Sequence, residues 1–95
     1  MHFRFDPAKA AANWRKHGVS LAEAEAVFHD PLALHRADPD AEGEHRMVAI
    51  GEGSLGVLLV VVYAERGNEV RLISARRATR REARTYAERI RLYGC

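Results

Sequence analysis

Arg76, Arg77, Arg80 and Arg81 crowd together where the apolar run Val70–Ala75 gives way to a helix-forming sequence. Arginine stays protonated in proteins and presents a planar fork of donors. Such a set is therefore a phosphate clamp and charge stabiliser, and a poor carrier of protons. Thr79 and Glu82 stand in the T-x-x-E relation of a capping box, which sets a helix N-terminus beside these arginines. Free N-terminal amides, a helix dipole and guanidinium forks together suit an anion, phosphate above all. Arg76 and Arg77 are consecutive in a strand, so alternation sends them to opposite faces. One of the two is open to structural pairing with Glu65, Glu69 or Glu82.

Two further segments carry titratable groups at the ends of elements. Glu65-Arg66-Gly67 closes the longest apolar run and enters a tight turn. As a catalytic pair, Glu65 is the base and Arg66 the clamp; as a structural one, they form a turn ion pair of little energetic weight. Lys16-His17-Gly18 ends a helix. Histidine as a residue type can take or give a proton near neutral pH, so His17 can serve in proton transfer, or it can serve only as a cation at the helix C-terminus. His2, His17, His29, His35 and His45 lack the short fixed intervals of a zinc site, so no metal and no other cofactor is expected. Glycine-rich phosphate loops and serine or cysteine nucleophile motifs are absent as well.

The elements that must position these groups belong to one domain, residues 1–95, long enough to bury a core without staples. An apolar fraction of 47% argues against disorder. Net charge is only +2, but its distribution is uneven: residues 1–17 carry +3, residues 18–65 carry −7 and residues 66–95 carry +6. A basic C-terminal third suggests a local anionic partner, or simply a solvated helix face. The single cysteine, Cys95, excludes an internal disulfide, which fits a reducing, cytoplasmic setting. No signal-peptide pattern opens the chain. The run Val57–Ala64 is far shorter than the roughly 20 residues of a membrane span, so no membrane partner is expected.

Phe3 and Phe5 alternate with Arg4 as in a short strand or edge. Asp6-Pro7 opens a helix that stops at Gly18, with Trp14 expected to anchor its buried face beside Ala10 and Ala11. Ser20-Leu21-Ala22-Glu23 is a second capping box, opening a short helix to about Phe28 with a stripe of Leu21, Ala24, Val27 and Phe28. Asp30-Pro31 ends it, residues 31–36 suit a strand with Leu32 and Leu34 on one face, and residues 38–43 read as a loop. Strands follow at 45–50, 57–65 and 69–76, joined by glycine-bearing hairpin connections where positive φ is needed. The second of the three is apolar on both faces and belongs in the middle. A last helix, from Arg80 to about Tyr93, is expected to bury Ala83, Tyr86, Ala87, Ile90 and Tyr93. The expected fold is α+β: two N-terminal helices, an antiparallel sheet of three to four strands and a C-terminal helix.

Taken in order, these segments resemble the BrnT-type toxins of bacterial type II toxin–antitoxin systems. The resemblance rests on Asp6-Pro7-Ala8-Lys9, on Asn13 to Ser20 with Glu23-Ala24, and on Asp30-Pro31. It continues through Gly43-Glu44-His45-Arg46, Val60-Val61-Val62 with Glu65-Arg66-Gly67, and Arg71 to Arg76 with Ala78-Thr79, Arg81-Glu82 and Tyr86. Phe5 stands where tryptophan is more usual, and Leu21 where phenylalanine often follows the serine. The resemblance implies a RelE-like fold and a metal-independent endoribonuclease that arrests growth by cutting RNA. It also implies a BrnA-like ribbon-helix-helix antitoxin, through which alone operator DNA is reached. By the same resemblance His17, Glu65, Arg66 and Arg76 are the expected catalytic set. Lys9, Lys16, Arg77, Arg80 and Arg81 are expected to hold the RNA backbone. The competing readings are a non-catalytic module whose basic helix docks on nucleic acid or an acidic partner, and a toxin scaffold kept only as a corepressor.

Overall fold

Leu58–Arg66, the apolar strand, is β4 and lies in the middle of the sheet, as expected. The structure, a computed structural model, describes residues 1–39 and 45–93, with side chains as far as Arg89. The other strands are β1 (His2–Arg4), β2 (Leu34–Ala37), β3 (Met47–Glu52) and β5 (Glu69–Arg77), in the order β1-β5-β4-β3-β2. Every pairing is antiparallel except one. β1 runs parallel to β5, with Phe3 opposite Val70, so the sheet has five strands and is mixed where three to four antiparallel strands were expected. Phe3 is the reason: its ring packs on Phe28 at a centroid distance of 5.2 Å, drawing the N-terminus onto the sheet. The expected loop at residues 40–43, and the expected burial of Ile90 and Tyr93, fall outside the described residues.

The helices are α1 (Pro7–His17), α2 (Leu21–Ala24), which runs on as a 3₁₀ turn over Glu25–His29, and α3 (Arg80–Tyr93). Asp6 caps α1 through Ala8 N, and Gly18 at φ 66° closes it with its N–H on Trp14 O. Leu21, Ala24 and Val27 are buried against Ala49, Leu59, Val61, Tyr63 and Leu72, and together form the core on one face of the sheet. Gly51 marks a close approach of the 3₁₀ turn to the sheet: a Cβ there would lie 2.9 Å from Val27 Cγ1. Of the glycines in the hairpin connections, Gly56 and Gly67 supply the positive φ, at 76° and 59°, while Gly53 is buried against Leu59.

One irregularity decides what faces where. Val62 pairs with Ser74 but Tyr63 pairs with Leu72, so Ile73 is an extra residue, a bulge in β5. Before it, Val70 and Leu72 point to the helix-covered core; after it, Ala75 does. The shift turns Ser74 and Arg76 to the opposite, open face. A regular strand would have sent Arg76 the way of Leu72.

The docking of α1 corrects the sequence expectation. Trp14 is 58% exposed, and the buried residue of the helix is Asn13, at 6%. Its Nδ2 donates to Ala75 O at 2.8 Å and to Val19 O at 2.9 Å, while its Oδ1 accepts Ala75 N at 3.0 Å. Because β1 covers β5 only over Glu69–Arg71, the outer edge of β5 beyond it needs partners, and one carboxamide supplies them at Ala75. At the other side, Asp30 ties three elements: its carboxylate accepts Leu32 N, Glu52 N and the Tyr86 hydroxyl of α3. Burial alone would raise the Asp30 pKa, but these hydrogen bonds hold it below its ordinary value. The Tyr86 hydroxyl is pushed up to about 12, by burial first and by Asp30 second. Among the described side chains of α3, Tyr86 is buried, Ala83 is half-buried, and Ala87, expected inside, is exposed.

Removing the Asn13 carboxamide orphans three backbone groups at once. Asn13→Ala is expected to lower unfolding stability by about 2–4 kcal/mol, and Trp14→Ala by less than about 1 kcal/mol. Urea melts of the two variants check this; the reverse ranking would refute the docking role of Asn13.

Candidate functional site

The open face of the sheet carries a hollow of about 400 Å³ above Val48, Val60, Val62 and Ser74. Lys16 and His17 enter it from the last turn of α1, Arg36 and Asp38 from the end of β2, Arg76 from β5, and Glu82 from the first turn of α3. Each position has a local cause. Asn13 holds α1 on Ala75, one residue from Arg76, and His17 follows Asn13 by one helical turn. Arg36 stands opposite Val48 on the short edge strand β2. Arg76 reaches the hollow because the bulge at Ile73 turns it there. A second, more apolar hollow of about 270 Å³ adjoins it, lined by Leu34, Ile50 and Thr85 and sharing Arg36, Val48, Val60 and Glu82.

The expected capping box is present. Glu82 N donates to Thr79 Oγ1 at 3.2 Å and Thr79 N donates to Glu82 Oε1 at 2.8 Å. The same carboxylate takes Arg76 end-on, Nη1 to Oε1 and Nη2 to Oε2 at 2.8 Å each. Of the three acids open to such pairing, Glu82 is the one Arg76 meets, and its carboxylate sits at the helix terminus where a free anion was expected. The hydrogen bond from Arg76 is the largest cause that lowers the Glu82 pKa, overcoming burial and bringing it from 4.5 to about 2. The Arg76 pKa rises for the same reason.

The remaining sequence candidates lie elsewhere. Arg76 is level with Val60, while Glu65 is level with Val70 and Arg66 with Glu69 at the far end of β4. Glu65 lies five residue steps along β4 from Val60, about 17 Å at roughly 3.4 Å per residue. Glu65 borders a different hollow with Phe28, Met47 and Tyr63, where burial first and then the Glu65 charge raise the Tyr63 pKa. The Tyr63 hydroxyl there meets His35 Nδ1 at 2.8 Å. Arg77 points to the helix side, beside Trp14, Val57 and Leu59. Lys9, Arg80 and Arg81 are exposed and do not line the hollow. Arg36 and Asp38 were not expected from the sequence, although the alternation that put Leu32 and Leu34 on one face, carried on two residues, reaches Arg36. Among the described residues no group of three or more His, Cys, Asp or Glu side chains is placed to hold a metal ion.

The family model described as "Ribonuclease toxin, BrnT, of type II toxin-antitoxin system" matches residues 5–82. The chain belongs to the BrnT family. The matched span takes in Lys16, His17, Arg36, Arg76 and Glu82. Among solved structures, the chain is similar to the 1.1 Å crystal structure of the Brucella abortus ribonuclease toxin BrnT. The two are 26% identical with a TM-score of 0.64, over 84% of this chain and 99% of that one. No curated protein matches it. Like its relative, this BrnT-family chain is an α+β protein with a mixed five-stranded sheet. Among its described residues no helix is long and apolar enough to cross a membrane.

A Glu82 pKa lowered in the fold means that the carboxylate contributes stability above about pH 4.5, lost as pH falls towards 2. The Glu82 side chain is 29% exposed and Arg76 is 41% exposed, so the contribution must be discounted for solvent. Wild type is expected to lose about 1–2 kcal/mol more stability than Glu82→Gln between pH 4.5 and 2. Denaturant melts across that window measure it; parallel pH profiles would contradict the pairing.

Proposed function

We propose that this chain is a metal-independent endoribonuclease that arrests growth by cutting RNA, working in the cytoplasm and held in check by a BrnA-like ribbon-helix-helix antitoxin. The observation that carries the reading is the gathering of Lys16, His17, Arg36 and Arg76 around one open hollow. Membership in a family of ribonuclease toxins supports RNA as the substrate of that hollow. Among the described residues that line it, three cations and an imidazole face two carboxylates, one of which, Glu82, is already engaged by Arg76. This lining favours direct charge neutralisation by protein side chains over metal coordination.

The chemistry follows from those groups. The ribose 2′-oxygen attacks the adjacent phosphorus, the bond from phosphorus to the 5′-oxygen breaks, and a 2′,3′-cyclic phosphate and a 5′-hydroxyl result. His17 takes the 2′-hydroxyl proton or supplies one to the leaving oxygen, a role worth about 10²–10⁴-fold. Arg36 and Arg76 stabilise the negative charge that builds on the phosphorus oxygens, and Lys16 holds the neighbouring phosphate. Lys9, Arg77, Arg80 and Arg81 act further out, on the RNA backbone. Glu65 and Arg66, remote from Arg76, have no part in this proton transfer. The antitoxin acts by covering the cations, and operator DNA is reached only through it.

The test is cleavage of a long RNA by trace protein in EDTA. Arg76→Ala and His17→Ala are each expected to slow it at least about 10²-fold, with Glu65→Ala near wild type. DNA of the same sequence survives because it lacks the attacking hydroxyl. A non-catalytic binding module would instead protect RNA stoichiometrically, and full activity in both the His17 and Arg76 variants would rule this mechanism out.

A further inference from the structure

The fold specifies the orientation of Arg76, and Glu82 does the specifying. Its carboxylate takes Nη1 and Nη2 end-on at 2.8 Å each, and Nη1 also donates to Arg77 O at 3.2 Å. Oε1 of that carboxylate also accepts Thr79 N. The clamp is therefore fastened to the backbone at the start of a helix, and not merely to another mobile side chain. A guanidinium has five N–H donors. What these contacts leave is the side-on edge, Nε and Nη2, which takes no other partner among the described residues. That edge matches two phosphate oxygens as well as the end-on edge matches a carboxylate. Arg76 and Glu82 both line the hollow that His17 enters.

We infer that Glu82 is a positioning residue of the RNA-cleaving site, locking Arg76 end-on so that its Nε–Nη2 edge is presented, already ordered, to the scissile phosphate. The inference rests on the proposed function and deepens it. Glu82 stays ionised down to about pH 2, so the clamp persists wherever the protein works. Two other roles make different predictions. A carboxylate that only capped α3 would be replaced by glutamine without loss, since glutamine also serves the capping box. A carboxylate that competed with phosphate for Arg76 would, once neutralised, leave a tighter and faster site.

The experiment is steady-state RNA cleavage by wild type, Glu82→Gln, Arg76→Ala and the double variant, with melting temperatures alongside. Glu82→Gln is expected to fold and to lower kcat roughly tenfold to hundredfold with KM close to wild type, the signature of a misaimed group. With Arg76 already alanine, adding Glu82→Gln should cost nothing more, because the effect runs through Arg76. Wild-type kcat in Glu82→Gln, a gain in kcat, or an equal further loss in the absence of Arg76 would overturn the inference and leave Arg76 in the mechanism. Wild-type cleavage by Arg76→Ala would take Arg76 out of the mechanism, and the inference with it, while absence of cleavage by the wild-type protein would remove the functional reading itself.

Discussion

The pairing of the Asn13 carboxamide with the backbone of Ala75 is the contact on which the rest of the molecule turns. It joins residues 62 apart in sequence and stands in for a missing strand at the outer edge of β5. It also sets the end of α1 against the part of β5 that carries Arg76. A hydrophobic contact could hold a helix on a sheet at about the same energy. It could not fix where along the strand the helix sits, because apolar contacts are not directional. Two hydrogen bonds to one residue's N–H and C=O do fix it, and a buried carboxamide tolerates no slippage that would leave its polar atoms unpaired. The imidazole and the guanidinium are thereby brought to one hollow.

The bulge at Ile73 and the clamp by Glu82 complete that placement. The bulge divides β5 into a stretch that feeds the core and a stretch that serves the open face. The core side is closed by α2 and its 3₁₀ turn; the open side carries the hollow of about 400 Å³. Cations gathered on that side repel one another in the empty protein, and an anionic substrate relieves the repulsion. Glu82 offsets part of it meanwhile, without filling the hollow. In the proposed reaction the charge stabilisation is built in, at the expense of stability.

Much of the fold could be read from residue order because its signals are local. Asp6-Pro7 and Gly18 bound α1, and Thr79 and Glu82 start α3, since caps act within a turn of the chain. The both-sided apolarity of β4 placed it in the centre. The parallel β1 was not legible, because its pairing depends on Phe3 meeting Phe28. Nor was the role of Asn13: a polar residue next to a tryptophan reads as the exposed one, and only the unpaired edge of β5 reverses that. The candidate site was half legible for the same reason. Lys16, His17 and Arg76 announce themselves by chemistry at element ends. Arg36 arrives through the order of the strands, and Glu65 is taken away by the register of β4 with β5.

The proposed cleavage requires one phosphate to be met jointly by His17 and Arg76 in the hollow that Asn13 holds together. An NMR titration of the intact protein with a 2′-O-methylated RNA, which binds but lacks the attacking hydroxyl, reads that contact directly. The His17 ring and Arg76 Nε–H resonances are expected to shift together along one binding curve, with Arg36 following them. Shifts centred instead on Glu65, Arg66 and Tyr63, with His17 and Arg76 unmoved, would show that RNA sits elsewhere and that the hollow is not the cleavage site.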